Sequence, residues 1–347
     1  MRLSLWTAAA AVLATIVTGA PPAAAAGAGP LPVIYDSDMD FDDASTLAYL
    51  CEEHKLGRID LRAVTVANNG FGMPQRTLRH ARSILDQCGL PRVPVASGAT
   101  GEGVHPAPAE LVTTIETVLS GALGDGALPP YASKWSATDL IARAAQRSRR
   151  PVTVIATGPL TNVAAALRSP ATARRIARVQ IMGGALRVPG NLYGSALPGF
   201  DNTQEFNFWM DPVSAQAVLR TARSGTLRLV PLDATAAVPI TPAFVARLAA
   251  DQQAPGARIT YRIVSQPDLA ALISLGIMYW WDALAAVSAV HGTITTFRAE
   301  RVTVVQDGVQ SGRTLLTPAG RRVQAAGAAD APAFERRFLD SLNGRTG

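Results

Sequence analysis

The residues with the clearest capacity for chemistry are five aspartates that fall within eight positions, namely Asp36, Asp38, Asp40, Asp42 and Asp43. Carboxylates this close repel one another strongly unless a cation neutralises them. Their hard oxygen atoms suit Ca²⁺ or Mg²⁺ rather than zinc. Neighbouring side chains at a helix start diverge by about 100°, so one of Asp42 and Asp43 can face a metal while the other faces a substrate. The cluster therefore predicts a metal-dependent site.

Other interpretations of the acidic cluster explain less of it. An acidic helix N-terminus, stabilised by the helix dipole, accounts for one or two aspartates but not five. An EF-hand loop needs glycine where Phe41 stands, and a glutamate six residues later, which is absent. A haloacid-dehalogenase-type Mg²⁺ phosphatase also carries D-x-D after its first strand, but with a downstream lysine, and only Lys55 and Lys134 occur here. That phosphatase is the alternative enzyme, and a non-catalytic calcium-binding module is the alternative without chemistry.

Around the cluster, short apolar runs alternate with helical patterns. The predicted strands are 31–35, 59–67, 93–96, 151–156 and 178–182, with further strands or a hairpin within 297–323. The predicted helices are 42–54, 75–87 and 332–342, with a helical cap within 242–283 and a long loop at 183–203. This alternation predicts an α/β fold with a mostly parallel, Rossmann-like central sheet flanked by helices. Such sheets bind ligands at the carboxyl ends of their strands, where the acidic cluster falls.

Charge and composition narrow the possible partners. The chain of 347 residues has a net charge of +6, but its basic residues are scattered and lack interleaved aromatic residues. This pattern argues against a nucleic-acid-binding protein. Hydrophobic residues make up 48% of the chain, enough for a large core, and neither an internal repeat nor a linker is visible. We therefore expect one domain over residues 27–347.

The first segment has the pattern of an export signal. Arg2 precedes an apolar run over residues 3–17, which is too short to span a membrane, and Ala24-Ala25-Ala26 fits a cleavage site. We expect residues 1–26 to be a removed signal peptide, the protein to be secreted, and no membrane span to follow. Export permits a disulfide between Cys51 and Cys88, although two buried thiols fit the sequence equally well.

Four segments together resemble the nucleoside hydrolase family. DSDMDFDDA at 36–44, after a strand, resembles the family's D-x-D-x-G-x-D-D-A signature. In the family's order follow ATGPLTNVA at 156–164, then MGG at 182–184 with EFN at 205–207 and DP at 211–212, and finally YWWDAL at 279–284. The resemblance implies the nucleoside hydrolase fold and hydrolysis of the N-glycosidic bond of ribonucleosides to free base and ribose. It also implies a homodimer or homotetramer.

The resemblance implies one Ca²⁺ as the cofactor. Its protein ligands would be Asp38, Asp43, the backbone carbonyl of Thr157, and Asp282. Two substrate hydroxyls and a water would complete a shell of about eight oxygen atoms. Asp38 would also be the catalytic base that takes a proton from the attacking water. Asp36 would support the loop.

The resemblance assigns further polar side chains to a small-molecule nucleoside. The substrate-binding residues would be Asp42, Asn69, Asn191, Glu205, Asn207 and Asp282. Asp42 and Asn207 would hold the ribose 2′- and 3′-hydroxyls, with Asp282 beside the latter, and Glu205 and Asn191 would hold the 5′-hydroxyl. The loop before Glu205 is longer than is usual in the family, which makes Asn202 an alternative to Asn191, as Asn68 is to Asn69. Anionic groups around the sugar would stabilise an oxocarbenium-like transition state.

The chain departs from the family pattern at two places. Met39-Asp40 replaces the usual Pro-Gly, which removes the glycine of this turn, although aspartate tolerates a left-handed backbone better than most residues. No role is assigned to Asp40. Trp281 stands where many pyrimidine-accepting or nonspecific members carry a histidine that protonates the leaving base.

The tryptophan bears on the choice of base. None of the four histidines (His54, His80, His105 and His291) falls in a matched segment. The pattern is closer to the inosine-adenosine-guanosine-preferring branch, in which an aromatic ring stacks on the purine. Trp281 would play this catalytic role because indole offers a large π-face, and core packing is its alternative. We therefore expect a purine nucleosidase, with a nonspecific or pyrimidine-accepting hydrolase as the alternative.

Overall fold

The structure is a computed structural model that describes residues 29–98, 105–124, 134–192, 201–223 and 225–346. The predicted signal peptide lies outside the described residues. The strands are β1 (Leu31–Ser37), β2 (Ile59–Val66), β3 (Val95–Ser97), β4 (Val152–Ala156), β5 (Ile176–Met182), β6 (Leu227–Val230), β7 (Thr295–Val304), β8 (Thr314–Leu316) and β9 (Arg321–Ala329). They form one sheet in the order β3-β2-β1-β4-β5-β6-β9-β7-β8.

Helices fill the connections between the strands. They are α1 (Phe41–Lys55), α2 (Arg76–Gln87), α3 (Ala109–Leu123), α4 (Ala137–Arg147), α5 (Thr161–Leu167), α6 (Pro170–Arg174), α7 (Phe206–Met210), α8 (Pro212–Thr221), α9 (Leu232–Thr235), α10 (Pro242–Ala250), α11 (Pro255–Val264), α12 (Pro267–Ser274), α13 (Trp281–Val290) and α14 (Ala331–Leu342). The predicted cap over 242–283 is helical as expected.

The sheet confirms the predicted α/β architecture. Pairing is parallel from β3 to β6 and between β6 and β9, and only β7 pairs antiparallel, with β8 and β9. The predicted C-terminal hairpin therefore adds an antiparallel edge to a parallel sheet. No helix in the described ranges is long and apolar enough to cross a membrane.

Strand β1 lies in the middle of the parallel part and is buried on both faces. Val33 and Tyr35 belong to the apolar core on one face, and Ile34 to the core on the other. This is the two-residue alternation of a strand covered by helices on both sides. The first core contains residues of α1, α2, α3, α11, α13 and α14, and the second contains residues of α4, α5 and α8. Tyr35 therefore faces the layer that contains α1.

The turn from β1 into α1 is made without the family's glycine. The left-handed residue is Met39, with φ +59°, whereas Asp40 has φ −82° and ψ −167°. Asp40 is extended because it is the N-cap of α1, a position that requires a non-helical backbone. Met39 takes the strained conformation while its side chain is fully buried in the core.

The two cysteines are free thiols. Cys51 lies in α1, and Cys88 is the C-cap of α2. Both are buried, and burial followed by a hydrogen bond with Cys88 raises the pKa of the Cys51 thiol. Of the two sequence alternatives, the structure therefore has the pair of buried thiols.

Candidate active site

Four adjacent strands bring segments of the predicted site to the same edge of the sheet. Asp38 follows β1, Asn69 follows β2, Thr157 follows β4 and Gly183 follows β5, and these strands are neighbours in the order β2-β1-β4-β5. Because parallel strands end at one edge, residues far apart in sequence meet there. The start of α13 brings Asp282 to the same place, since its backbone N–H donates to Oδ2 of Asp42 at 2.9 Å. The predicted site is thus one constellation.

Asp40 fixes the start of α1. Its Oδ1 accepts hydrogen bonds from the backbone N–H groups of Asp42 (3.0 Å) and Asp43 (3.1 Å). The Oδ2 atom of Asp43 accepts from the N–H of Asp40 at 3.2 Å, which completes a capping box. Asp40 is therefore the N-cap of α1, a role that had not been assigned from the sequence. The Asp–x–x–Asp pattern of the capping box was not recognised because it lies within the run of aspartates.

Backbone surrounds Asp38 closely. Its Oδ2 accepts from the N–H of Phe71 at 2.6 Å, and its side chain is within hydrogen-bond reach of Asp43. A Cβ added to Gly70 would overlap Oδ2 of Asp38, and one added to Gly158 would lie 2.7 Å from the Asp38 nitrogen. Glycine is therefore required at both positions if the turns after β2 and β4 are to approach the carboxylate.

Asp43 is held by two hydroxyl groups. Its Oδ1 accepts from the Tyr35 hydroxyl at 2.7 Å and from Thr157 Oγ1 at 2.5 Å. Thr157 Oγ1 also lies 3.0 Å from the Tyr35 oxygen. The carbonyl of Thr157, a predicted ligand, accepts from Nδ2 of Asn207 at 2.9 Å. Tyr35 was not identified as a site residue from the sequence, because a tyrosine in a buried apolar strand is usually a core residue.

The acidic side chains form a possible cation site. One oxygen each of Asp40, Asp42 and Asp282 lies within 4.8 Å of the others. Oδ1 of Asp42 is buried and has no hydrogen-bond partner. No Lys, Arg or His of the described ranges forms an ion pair with this group of carboxylates. An all-oxygen donor set with an unpartnered atom fits a hard cation such as Ca²⁺. Asp40 joins the candidate ligands here, in addition to those predicted.

Burial makes these carboxylates hard to ionise. Burial first, and then the charges of neighbouring aspartates, raise the pKa of Asp38, Asp42 and Asp282 well above the ordinary value. The same two causes raise the pKa of Asp40 to about 6. Burial raises the pKa of Glu205, although three backbone N–H groups oppose the shift. A cation would offset this cost by favouring the charged forms.

Asp36 lies beneath the site, as expected for a supporting residue. Its Oδ1 accepts from Thr65 Oγ1 at 2.5 Å and from Asn162 Nδ2 at 2.9 Å. Burial raises its pKa to about 7 in spite of these two bonds. The carboxylate thereby joins β1 to β2 and α5.

The two asparagines after β2 differ in environment. Asn68 donates to Ser97 and to the Gly98 carbonyl and accepts from Thr77, so both ends of its amide are used. Asn69 donates from Nδ2 to Thr161 Oγ1 at 2.8 Å, while its buried Oδ1 has no partner. The structure therefore leaves Asn69, rather than Asn68, with an acceptor available.

Glu205 and its neighbours form the far side of the constellation. The Glu205 carboxylate caps α7, accepting from Asn207 N (2.9 Å), Phe208 N (3.1 Å) and Gly184 N (2.9 Å). Asn191 Oδ1 accepts from Phe206 N at 3.0 Å, next to Glu205. Asn202 is exposed, and its carbonyl accepts from Gly190 N. The Asn191 side chain therefore lies beside Glu205 in the chain fold, whereas the contact recorded for Asn202 is the backbone bond to Gly190.

Aromatic residues flank the carboxylates on one side. Trp281 is half-buried at the start of α13, with its ring 6.2 Å from Phe41 and 5.5 Å from Tyr279. Phe41 and Trp281 directly precede Asp42 and Asp282. Trp280, by contrast, is fully buried against Phe244 and belongs to the core.

A second aromatic group was not predicted as a unit. Phe71 packs edge-on against Phe206 at 4.7 Å, and Phe206 against Trp209 at 6.3 Å. His105 stacks on Trp209 at 4.7 Å and lies 2.9 Å from Ser311 Oγ through Nε2. Because Phe71 bonds Asp38 and Phe206 adjoins Glu205, this group borders the site. The signal available in the sequence was the position of Phe206 in the matched segment 205–207 and of Phe71 directly after the Asn68-Asn69-Gly70 turn.

The remaining histidines lie elsewhere. His54 accepts from the Leu61 N–H, His80 bonds Glu116, and His291 lies 3.5 Å from Glu53. None of these contacts involves Trp281 or Asp282.

A protein-family model and several curated proteins match the sequence of this chain. The family described as inosine-uridine preferring nucleoside hydrolase matches residues 33–336. The pyrimidine-specific ribonucleoside hydrolases RihA of Salmonella enteritidis PT4 and Citrobacter koseri are each 34% identical over 195 residues, 55% of this chain and 57% of theirs. The matched part thus spans little more than half the length of these curated relatives.

Solved structures share the fold. An inosine-uridine preferring nucleoside hydrolase from Bacillus anthracis has a TM-score of 0.77 at 22% identity, over 90% of this chain and 99% of that one. A purine-preferring ribonucleoside hydrolase from Gardnerella vaginalis has a TM-score of 0.73 at 24% identity, over 90% and 98%. At these identities the likeness shows the fold alone.

Proposed function

The chain belongs to the inosine-uridine preferring nucleoside hydrolase family, and from this premise we propose that it hydrolyses the N-glycosidic bond of ribonucleosides to free base and ribose. The observation that carries the proposal is the meeting of Asp42 and Asp282, which are 240 positions apart, in the same buried carboxylate cluster as Asp38 and Asp43. A polyol substrate needs such a set of acceptors, since each hydroxyl both donates and accepts.

We propose Ca²⁺ as the cofactor. The ligands would be Asp38, Asp43, the Thr157 carbonyl and Asp282, and the buried, unpartnered Oδ1 of Asp42 lies in the same cluster. When bound, the ion would lower the pKa of the attacking water and hold sugar hydroxyls by charge. The Thr157 carbonyl already accepts one hydrogen bond from Asn207 and keeps a second lone pair for a ligand.

Asp38 is proposed as the general base. The Phe71 N–H holds Oδ2 at 2.6 Å, so the carboxylate is fixed in orientation. A base that is already oriented needs little rearrangement to take a proton from water. Removal of this proton would accompany attack at the anomeric carbon.

The ribose would lie among the carboxylates and amides. We propose that Asp42 and Asn207 hold the 2′- and 3′-hydroxyls, with Asp282 beside the latter. Glu205 and Asn191 would take the 5′-hydroxyl, and Asn69 offers Oδ1 as a further acceptor. As the glycosidic bond breaks, positive charge develops on the sugar, and the surrounding anionic groups stabilise it.

We further propose that the preferred bases are purines. Trp281 is half-buried between Phe41 and Tyr279, directly before Asp282, and so offers an aromatic face beside the proposed ribose position. The curated relatives named above are pyrimidine-specific, which makes pyrimidine hydrolysis the second candidate. The two differ in the base that is released.

The test is one assay with several substrates. The purified protein is incubated with inosine, guanosine, uridine or cytidine without phosphate, with Ca²⁺ or with EDTA, and free base and reducing sugar are measured. We expect equimolar base and ribose, loss of activity in EDTA, and a higher kcat/KM for the purines. Higher kcat/KM for uridine and cytidine would refute the purine preference while leaving the hydrolase proposal intact.

The alternative phosphatase is tested in parallel. A chromogenic phosphate ester with Mg²⁺ should give no product. Turnover of that ester without any release of base from the four nucleosides would show that the protein is a phosphatase and not a nucleoside hydrolase.

We also propose export of the chain, on the basis of Arg2, the apolar run and Ala24-Ala25-Ala26. Detection of uncleaved protein only inside cells would contradict this proposal.

A further inference from the structure

A buried tyrosine lies directly behind the acidic cluster. Tyr35 is on β1, three residues before Asp38, and is fully buried. Its hydroxyl donates to Oδ1 of Asp43 at 2.7 Å and lies 3.2 Å from the Asp43 carbonyl. Neither the ribose nor the base would touch it in the proposed reaction. A phenylalanine would fill most of the same volume, so packing alone does not require the hydroxyl.

The hydroxyl joins three elements at one point. Thr157, at the end of β4, places Oγ1 3.0 Å from the Tyr35 oxygen and 2.5 Å from Asp43 Oδ1. The same threonine offers the carbonyl proposed as a calcium ligand. Tyr35 and Thr157 therefore tie the side chain of one proposed ligand, on α1, to the backbone that carries another, on β4.

The two oxygens of the Asp43 carboxylate accept hydrogen bonds from different donors. Oδ1 accepts from the two hydroxyls, whereas Oδ2 accepts from the Asp40 N–H at 3.2 Å and keeps a further lone pair. Hydrogen bonds from outside the ligand shell commonly orient ligands, and their loss costs about 10–100-fold in metal affinity. A rotated Asp43 would offer its oxygens in the wrong direction.

We propose that Tyr35 is a positioning residue whose hydroxyl sets the affinity of the site for Ca²⁺ by orienting Asp43 together with Thr157. The proposal rests on the proposed function, because it takes the calcium site as its object. It deepens that function by naming a residue outside the ligand set.

A second tyrosine supplies a matched control. Tyr49, on α1, is also fully buried, but its hydroxyl has no hydrogen-bond partner among the described residues. Its ring packs on Phe338 at 5.7 Å, within the core. Removing this hydroxyl changes buried volume as Tyr35→Phe does, but touches no proposed ligand.

The experiment compares parent, Tyr35→Phe and Tyr49→Phe proteins. Each is stripped with EDTA, dialysed and titrated with CaCl₂ in a calorimeter, and its Tm is measured in EDTA and in saturating Ca²⁺. We expect the Kd for Ca²⁺ to rise about tenfold or more in Tyr35→Phe. It should stay within about twofold of the parent in Tyr49→Phe. At one subsaturating Ca²⁺ concentration, the rise in Tm above the EDTA value should shrink for Tyr35→Phe only, because ligand stabilisation follows [L]/Kd.

A purely structural tyrosine would give another result. It would lower Tm in EDTA and in Ca²⁺ by the same amount and leave the Kd unchanged, and that outcome would overturn the proposal. An equal loss of affinity in Tyr49→Phe would overturn it too. If the parent itself binds no Ca²⁺, the calcium part of the proposed function is wrong. If the parent binds Ca²⁺ and Tyr35→Phe binds it equally well, only the role proposed for Tyr35 is wrong.

Thr157→Val provides a second route if Tyr35→Phe does not fold. This change removes the other hydroxyl on Asp43 Oδ1 but keeps the backbone carbonyl. We expect a weakened Kd for Ca²⁺ here as well, with Tm in EDTA close to that of the parent. An unchanged Kd would show that hydroxyl donors to Oδ1 do not control the site.

Discussion

The backbone N–H of Asp282 donates to Oδ2 of Asp42 at 2.9 Å, which brings the first turns of α13 and α1 together. The positive ends of two helix dipoles therefore lie at the same acidic cluster. Helix dipoles of this orientation favour charged carboxylates, whereas burial and the neighbouring aspartates raise the pKa of both residues. The close approach of the buried carboxylate oxygens is the physical reason to expect a cation at this edge of the sheet.

Asp38→Asn should remove most of the turnover. The substitution keeps the shape and the acceptor for the Phe71 N–H but removes a proton acceptor from the reaction. General bases contribute roughly 10²–10⁴-fold to rate, so we expect kcat for inosine to fall by about that factor. Tm measured in EDTA checks that the variant is folded. Activity within a few-fold of the parent would be inconsistent with the assigned role.

Trp281→Ala should weaken purine hydrolysis more than pyrimidine hydrolysis. Stacking of a base on an aromatic side chain contributes about 1–3 kcal/mol, so kcat/KM for inosine should fall by roughly 5–150-fold. Trp281→Phe should retain most of the activity because it keeps a ring against Phe41. Equal losses for inosine and uridine in Trp281→Ala would indicate that the indole only packs the start of α13.

Met39→Gly should destabilise the protein even though it relieves backbone strain. A left-handed non-glycine residue costs about 1–2 kcal/mol. Removing a buried methionine side chain costs more, about 2–5 kcal/mol, and Met39 is fully buried in the core. We expect a net loss of about 1–3 kcal/mol, visible as a Tm lower by several degrees in calorimetry. A higher Tm would mean that strain outweighs packing, and Met39→Leu, which keeps the volume, should lie near the parent.

The central fold could be predicted from the sequence, and the resemblance implied the meeting of Asp42 and Asp282 at one edge of the sheet. Strand β1 and helix α1 follow from an apolar run and a helical pattern, and the acidic motif lies where one becomes the other. The order of the four matched segments then predicts which strand ends meet. Some elements were not predicted: β6 is only four residues long, and the helices α3 and α4 were not assigned although Ser136 is a typical N-cap before α4.

Side-chain partnerships across strands could not be predicted. The contact between Tyr35 and Thr157 joins residues 122 positions apart, and it depends on the register between β1 and β4. The sequence also left open which residue of the turn takes the left-handed backbone, and capping of α1 by Asp40 decides it. The contact between Tyr35 and Thr157 is set by tertiary packing, whereas the turn is set by local capping within residues 40–43.

A relay behind Asn69 leads to the last prediction. Nδ2 of Asn69 donates to Thr161 Oγ1 at 2.8 Å, and Thr161 donates to Oδ2 of Asp211 at 2.5 Å. The other oxygen of Asp211 is fixed by the Ser214 N–H at the start of α8. The carboxylate therefore orients the threonine, and the threonine turns the Asn69 amide so that its unpartnered Oδ1 is the end left for a substrate donor.

Thr161→Val should disturb this orientation without emptying the space. A valine cannot accept a hydrogen bond from Asn69, so the Asn69 amide is no longer held with Nδ2 toward residue 161 and Oδ1 toward the site. We expect kcat/KM for nucleosides to fall about tenfold, or about 1.4 kcal/mol. Thr161→Ser keeps the hydroxyl and should retain near-parent activity with a similar Tm. If Thr161→Val and Thr161→Ser lose activity equally, the methyl group rather than the hydrogen bond matters, and Asn69 is not oriented through Asp211. Because stability is measured on the same samples, a fall in kcat/KM at unchanged Tm distinguishes orientation of Asn69 from loosening of α5.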